Sequence, residues 1–135
     1  MTPFGERVRH LRETKGVTLK QMATDLHISS AYLSALEHGK RGQPSAQLVR
    51  QICGYFGIFW DEADELERLA QLSHPRITVD TAGLSPKATE LANRLSLHIH
   101  DLDDIALDRL LLVLDEDITR IAPVQRRRRA AARRR

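Results

Sequence analysis

The residues in this 135-residue sequence whose types can do covalent or metal chemistry are spaced in ways that argue against each such use. His98 and His100 stand near Asp101, Asp103 and Asp104. Two residues apart on a helix, however, imidazoles point in different directions, and no cysteine stands nearby to complete a ligand set. A polar helix end accounts for them better, so no metal is expected. Cys53 is the only cysteine, which excludes an internal disulfide and fits a reducing compartment. Its place on the inner side of an amphipathic segment marks it as a packed thiol. No Gly-rich phosphate loop, nucleophile–base set or pair of catalytic carboxylates occurs in a supporting context. An enzyme is therefore not expected, and no cofactor is implied.

The chemistry that remains is recognition. Residues 28–45 read ISSAYLSALEHGKRGQPS. Ser29 is a good N-cap, Leu33 and Leu36 form an inner face, and Gly39 is a stop signal. The outward positions are Ser30, Ala31, Ser34 and Ala35, all short, and His38 and the cationic Lys40 and Arg41 follow. Tyr32 can either bond to a ligand or pack beside Leu33 and Leu36. A short-sided helix followed by cations suits insertion into a groove lined with anions.

The charge distribution agrees. Residues 1–60 hold eight Lys/Arg against four Asp/Glu, residues 61–125 hold six against fourteen, and the last ten, RRRRAAARRR, contain seven arginines. Basic ends around an acidic middle suggest that the ends meet a polyanion while the middle meets something else or is a solvated surface. The longest strictly apolar run, LLLVL at 110–114, is far short of a membrane span, and the N-terminus lacks the apolar stretch of a signal peptide. A cytoplasmic, nucleoid-associated protein is expected.

Helical periodicity positions these residues. A first helix fits about 4–15 through Phe4, Val8 and Leu11, stopped by Gly16. Thr18 with Gln21 is a capping-box signature for a second helix over 19–26, whose apolar side is Met22, Ala23 and Leu26. The third covers 30–38. Ser45 caps a fourth through Leu48, Val49, Ile52, Cys53 and Phe56 to Gly57, and a fifth fits about 60–72, opened by Asp61, Glu62 and Asp64. Beyond Pro75, Arg76–Asp80 can be read as a short strand. Ser85-Pro86 then opens a helix bearing Leu91, Leu95 and Ile99. A last helix over about 102–119 carries Ile105, Leu110, Val113, Leu114 and Ile118. Two such helices cannot bury both stripes against each other alone. From Pro123 the sequence lacks periodicity and repels itself, so a disordered tail is expected.

Taken together, FGERVRHLRETKGVTLKQMA, ISSAYLSALEHGKRGQPS and LVRQICGYFGI resemble the phage repressor/Cro family, the xenobiotic-response-element type of helix-turn-helix. The resemblance covers 4–71, about half of the chain, and leaves 74–135 unmatched. It implies an all-α, five-helix, lambda-repressor-like domain that binds a two-fold DNA operator as a homodimer, with the third helix in the major groove. Placed by that resemblance, Ser30, Ala31, Ser34 and Ala35 face base edges. Ser29, His38, Lys40 and Arg41 meet the DNA backbone, and Arg12 and Glu37 form a structural ion pair tying the first helix to the third.

Three positions depart from the family pattern. His27 occupies a turn position usually held by glycine. Leu19 replaces a frequent phosphate-binding glutamine, so that Lys20 or Gln21 is expected to supply that contact. The reading face also lacks every side chain able to make a bidentate contact with guanine or adenine. DNA shape should therefore carry a larger share of specificity.

The expected organisation is a helix-turn-helix domain over 1–73, an acidic helical region over 74–122 and a basic tail over 123–135. Leu91, Leu95, Ile99, Leu110, Val113 and Leu114 are the candidate dimer contacts. Arg126, Arg127, Arg128, Arg129, Arg133, Arg134 and Arg135 are candidate sequence-independent DNA contacts. The function these features point to is a sequence-specific transcriptional regulator of bacterial or phage type, in the sense of a repressor. The alternative is an antitoxin or adaptor whose acidic region, 61–119, engages a protein partner while DNA binding serves autoregulation.

Overall fold

The computed structural model describes the backbone of residues 1–133 and the side chains of residues 1–121. Its elements fall into two compact units, Met1–Thr78 and a second beginning at Val79. The first holds five helices: α1 (Pro3–Lys15), α2 (Leu19–Asp25), α3 (Ser30–Glu37), α4 (Ala46–Phe56) and α5 (Asp61–Gln71).

Local signals set most of the helix ends. The hydroxyls of Thr2, Thr18, Ser29 and Ser45 accept from the N–H groups of Gly5, Gln21, Tyr32 and Leu48 at 2.9–3.1 Å, each satisfying one orphan donor of a first turn. Only half of the capping box at Thr18 forms. The Gln21 side chain turns along α2 instead, its Nε2 donating to Asp25 Oδ1 at 2.9 Å. Gly16 and Gly57 close α1 and α4 in the left-handed conformation. Trp60 precedes α5 with φ 56° and no side-chain cap, a costly backbone conformation for a bulky residue, and it is 87% exposed.

Short helices of seven and eight residues are marginal alone, so packing must hold α2 and α3. Phe4 and Val8 from α1, Met22 and Ala23 from α2, Leu33 and Leu36 from α3, and Leu48, Val49, Ile52 and Cys53 from α4 share one core. Leu66 and Ala70 of α5 close it. Burial pushes the Cys53 thiol above its ordinary value, and the nearby Glu67 carboxylate adds to the shift.

The second unit is built differently. A turn in which Ala82 N–H donates to Asp80 Oδ1 leads to α6 (Pro86–His98). Ser85 stands at its N-cap position, but its hydroxyl makes no cap bond there. A single 3₁₀ turn, Ile99–Asp101, then gives way to α7 (Asp104–Arg133), whose first turn is capped by Asp103 Oδ1 accepting from Ala106 N–H. No residue of α6 is buried, and Leu91, Leu110, Val113 and Leu114 all stand exposed.

Two features differ from expectation. Residues 76–80 form no strand, because no other extended segment among the described residues is available to pair with them. The last helix continues past 119 to Arg133, through residues expected to be disordered. Alanine and arginine are strong helix formers, and extending an existing helix costs far less than starting one.

Candidate nucleic-acid interface

The α2–α3 corner begins with the turn. Leu26 N–H donates to Met22 O and Ile28 N–H to Ala23 O, both at 3.0 Å, so the chain doubles back within one hydrogen-bonded loop. His27 sits in that loop with φ 59°, the left-handed region favoured by the glycine that usually occupies it. Leu26 and Ile28 are half-buried against the core on either side of it. The result is a helix-turn-helix whose second helix lies on the surface.

Along α3, burial separates two faces. Leu33, Leu36 and Glu37 are buried, with Tyr32 packed against the core, whereas Ser30 and Ala31 are exposed and Ser34 and Ala35 half-exposed. The outer face is therefore open at its N-terminal end and shallower toward the middle. Ser29 uses an oxygen lone pair for the cap, which leaves its own O–H free to donate outward.

His38, one turn beyond Ser34, folds back on the helix. Its Nδ1 lies 2.8 Å from Ser34 O, and since a carbonyl can only accept, that nitrogen carries the proton and leaves Nε2 for an external group. Lys40 and Arg41 are exposed in the following loop, their backbone N–H groups tied to Ala35 O at 2.9 and 3.4 Å. Lys20 is exposed at the start of α2. Gln21 is exposed too, but its amide is engaged with Asp25, so of the two Lys20 has the freer side chain.

Behind the open face lies a set of ties between distant helices. Arg12 Nε is 3.3 Å from Glu37 Oε1, and Arg12 Nη1 also donates to Val17 O at 3.4 Å. The Glu37 side chain is only 2% exposed, so α3 ends on a desolvated carboxylate that needs this cation. On the same turn Glu37 O accepts from Thr2 N–H, and Gly5 crosses so close that a Cβ there would lie 2.1 Å from that carbonyl oxygen. Phe4 N–H donates to buried Ser73 Oγ at 2.9 Å, which pins the end of α5 to the start of α1. At the other end, Lys15 Nζ donates to Tyr55 O at 2.8 Å and lies 4.0 Å from the Tyr55 ring centroid. Tyr55 OH donates to Asp25 Oδ2 at 2.7 Å, joining α1, α2 and α4.

Thr2, Gly5, Lys15, Tyr55 and Ser73 were not marked by their sequence context. Their partners lie far away in the chain, except for the cap at Thr2, which the Thr-Pro opening could have signalled. In the second unit, Leu91 is 59% and Leu95 39% exposed, and Ile99, Leu110, Val113 and Leu114 are likewise uncovered. His98 Nδ1 stands 3.9 Å from Asp101 Oδ2, a polar contact at a helix end. The tail arginines Arg126, Arg127, Arg128, Arg129, Arg133, Arg134 and Arg135 carry side chains outside the described residues.

This geometry defines a helix-turn-helix unit, and comparison with known proteins places it. The family model described as a helix-turn-helix domain matches residues 3–74, and the chain belongs to that family. The HTH-type transcriptional regulator RghRB of Bacillus subtilis, itself uncharacterized, is 40% identical over 58 residues, which is 43% of this chain and 42% of that protein. The HTH-type transcriptional repressor RghR of the same organism is 40% identical over 52 residues, 38% of each chain. The HTH-type transcriptional regulator RamB of Mycobacterium tuberculosis is 30% identical over 99 residues, 72% of this chain and 21% of that protein. The matches thus span less than half the length of these curated relatives. No solved structure matches the chain.

Proposed function

We infer that the chain is a DNA-binding transcriptional regulator that represses by occupying a two-fold operator as a homodimer, with α3 in the major groove. The observation that carries this reading is the open N-terminal face of α3, Ser29 to Ala35, followed directly by Lys40 and Arg41. Among the described residues, neither cation has a carboxylate partner. Ser30, Ala31, Ser34 and Ala35 would meet base edges and thymine methyl groups. Ser29, Lys20, Lys40 and Arg41 would hold phosphates and so set the register, and His38 would join them in the form that carries a proton on Nε2 as well. The names of the related regulators, one of them a repressor, support the same reading.

Homodimerisation rests on the second unit. Helices α6 and α7 leave leucine- and isoleucine-rich faces in water, which a second copy would cover. Carboxylates Asp101, Asp103, Asp104, Asp108, Asp115, Glu116 and Asp117 also crowd this region, which favours a basic protein partner as the second reading.

Selection of random duplex DNA by the full chain tests the proposal. Enrichment of an inverted repeat with half-sites about one helical turn apart is expected. A single unrepeated site would remove the dimer from the account, and no enrichment over bulk DNA would remove sequence-specific regulation.

A further inference from the structure

Beyond α5 the chain does not leave the first unit at once. Ser73, 4% exposed, accepts from Phe4 N–H through Oγ and donates to Leu69 O, so the backbone is held where the helix ends. The next three residues, His74, Pro75 and Arg76, run beside the loop between α3 and α4. The loop residues Gly39–Gly42 form one wall of a cleft of about 630 Å³, and His74, Pro75 and Arg76 form the other. The two walls come near each other at Gly42, where a Cβ would lie in ordinary contact, 3.9 Å from His74 Cε1. A second, smaller cleft shares Gly39, His74 and Pro75 and extends past His38, so the two form one trough along the C-terminal end of α3.

The trough is cationic on both walls. Lys40 and Arg41 face it from the loop and Arg76 from the chain after α5, with the His74 imidazole beside them and no carboxylate in the lining. None of these three cations forms an ion pair among the described residues. Like charges gathered without counter-charge repel one another, and an anion between the walls relieves that repulsion. Because the loop follows directly on the helix read here as entering the groove, the anion at hand is the duplex backbone.

We propose that His74 and Arg76 form the second wall of a phosphodiester-binding cleft, so that the DNA strand held at one phosphate by Lys40 and Arg41 is held at a neighbouring phosphate by Arg76. This rests on the DNA-binding reading above. It extends the interface beyond residue 73 to a segment that follows the last helix of the domain, and it gives the pinning of Ser73 a purpose. The cleft adds affinity but no sequence preference, because phosphates are alike at every step.

The salt dependence of duplex binding by the full chain tests this, using wild type, Arg41→Gln, Arg76→Gln and Arg76→Lys. The probes are the duplex enriched from the random pool and an unrelated duplex of equal length. Arg76→Gln should flatten the slope of log affinity against log salt by about 0.9, the change for one phosphate contact. It should weaken both duplexes by the same factor, as Arg41→Gln does, while Arg76→Lys keeps the wild-type slope. An unchanged slope in Arg76→Gln overturns the proposal while leaving the DNA reading intact. Equal flattening by Arg76→Lys also overturns it, because a displaced chain rather than a lost charge would then be the cause. A wild-type chain that binds neither duplex removes the DNA reading and the cleft together.

Discussion

Replacing Arg12 with alanine would leave the Glu37 carboxylate in place, 2% exposed and without its cation. Breaking a buried ion pair from one side costs about 3–5 kcal/mol, because the remaining charge stays desolvated. Two features of this pair favour the lower end. The Arg12 side chain is 15% exposed, so water can partly take its place, and the contacts to Glu37 are long at 3.3 and 3.5 Å. A loss of about 3 kcal/mol is a large share of the roughly 5–15 kcal/mol that stabilises a small domain. It should lower the melting temperature by at least about 12 °C in a unit of this size. The same chain supplies the control. Arg9 and Glu13 are 3.2 Å apart but 51% and 60% exposed, so Arg9→Ala should cost less than about 1 kcal/mol. Thermal melts of wild type and both variants, followed by far-ultraviolet circular dichroism, decide the matter. Equal losses from Arg9→Ala and Arg12→Ala would refute the claim that burial gives the second pair its weight.

Two other ties make further predictions. Gly5→Ala places a Cβ 2.1 Å from Glu37 O, so α1 and α3 must separate; the variant should melt far below wild type, and a wild-type melt would show that the helices have room to part. The Tyr55 hydroxyl titrates above its ordinary value of 10.0, first because it is desolvated and then because Asp25 accepts its hydrogen bond and repels the phenolate. A raised value in the folded state favours the protonated form, so this tie is fully present below pH 10 and is lost as pH rises through the raised value. Asp25→Asn should therefore move tyrosinate formation toward the ordinary range, as read by ultraviolet absorbance, and an unmoved titration would show that Asp25 does not hold the hydroxyl.

The parts of this fold that could be read in advance are those decided within a few residues. Thr18, Ser29 and Ser45 cap the helices that follow because the hydroxyl and the N–H it accepts from are three residues apart. Spacing placed Leu33 and Leu36 inside and Ser30 and Ala31 outside for the same reason. Ser73 and Phe4, 69 residues apart, meet only because α5 packs against α1, and no local pattern marks such a pair. Neither does Gly5, whose lack of a side chain matters only once α3 crosses it. Arg76 reads as the start of a strand because β-branched residues follow it, yet a strand needs a neighbour and none is offered among the described residues. The end of α7 is hard to read from sequence for a different reason: charge repulsion along the arginines opposes the helix propensity of the same residues.

The division of labour on α3 is tested most directly by repeating the duplex selection with Ala35→Gln and Arg41→Ala. Glutamine at 35 would add a bidentate contact to adenine, about 1–3 kcal/mol of discrimination, and should change the enriched half-site at one or two base pairs. Arg41→Ala should return the wild-type consensus with weaker binding. One consensus from all three proteins would contradict the account, because the outer face of α3 would then not be what reads the bases.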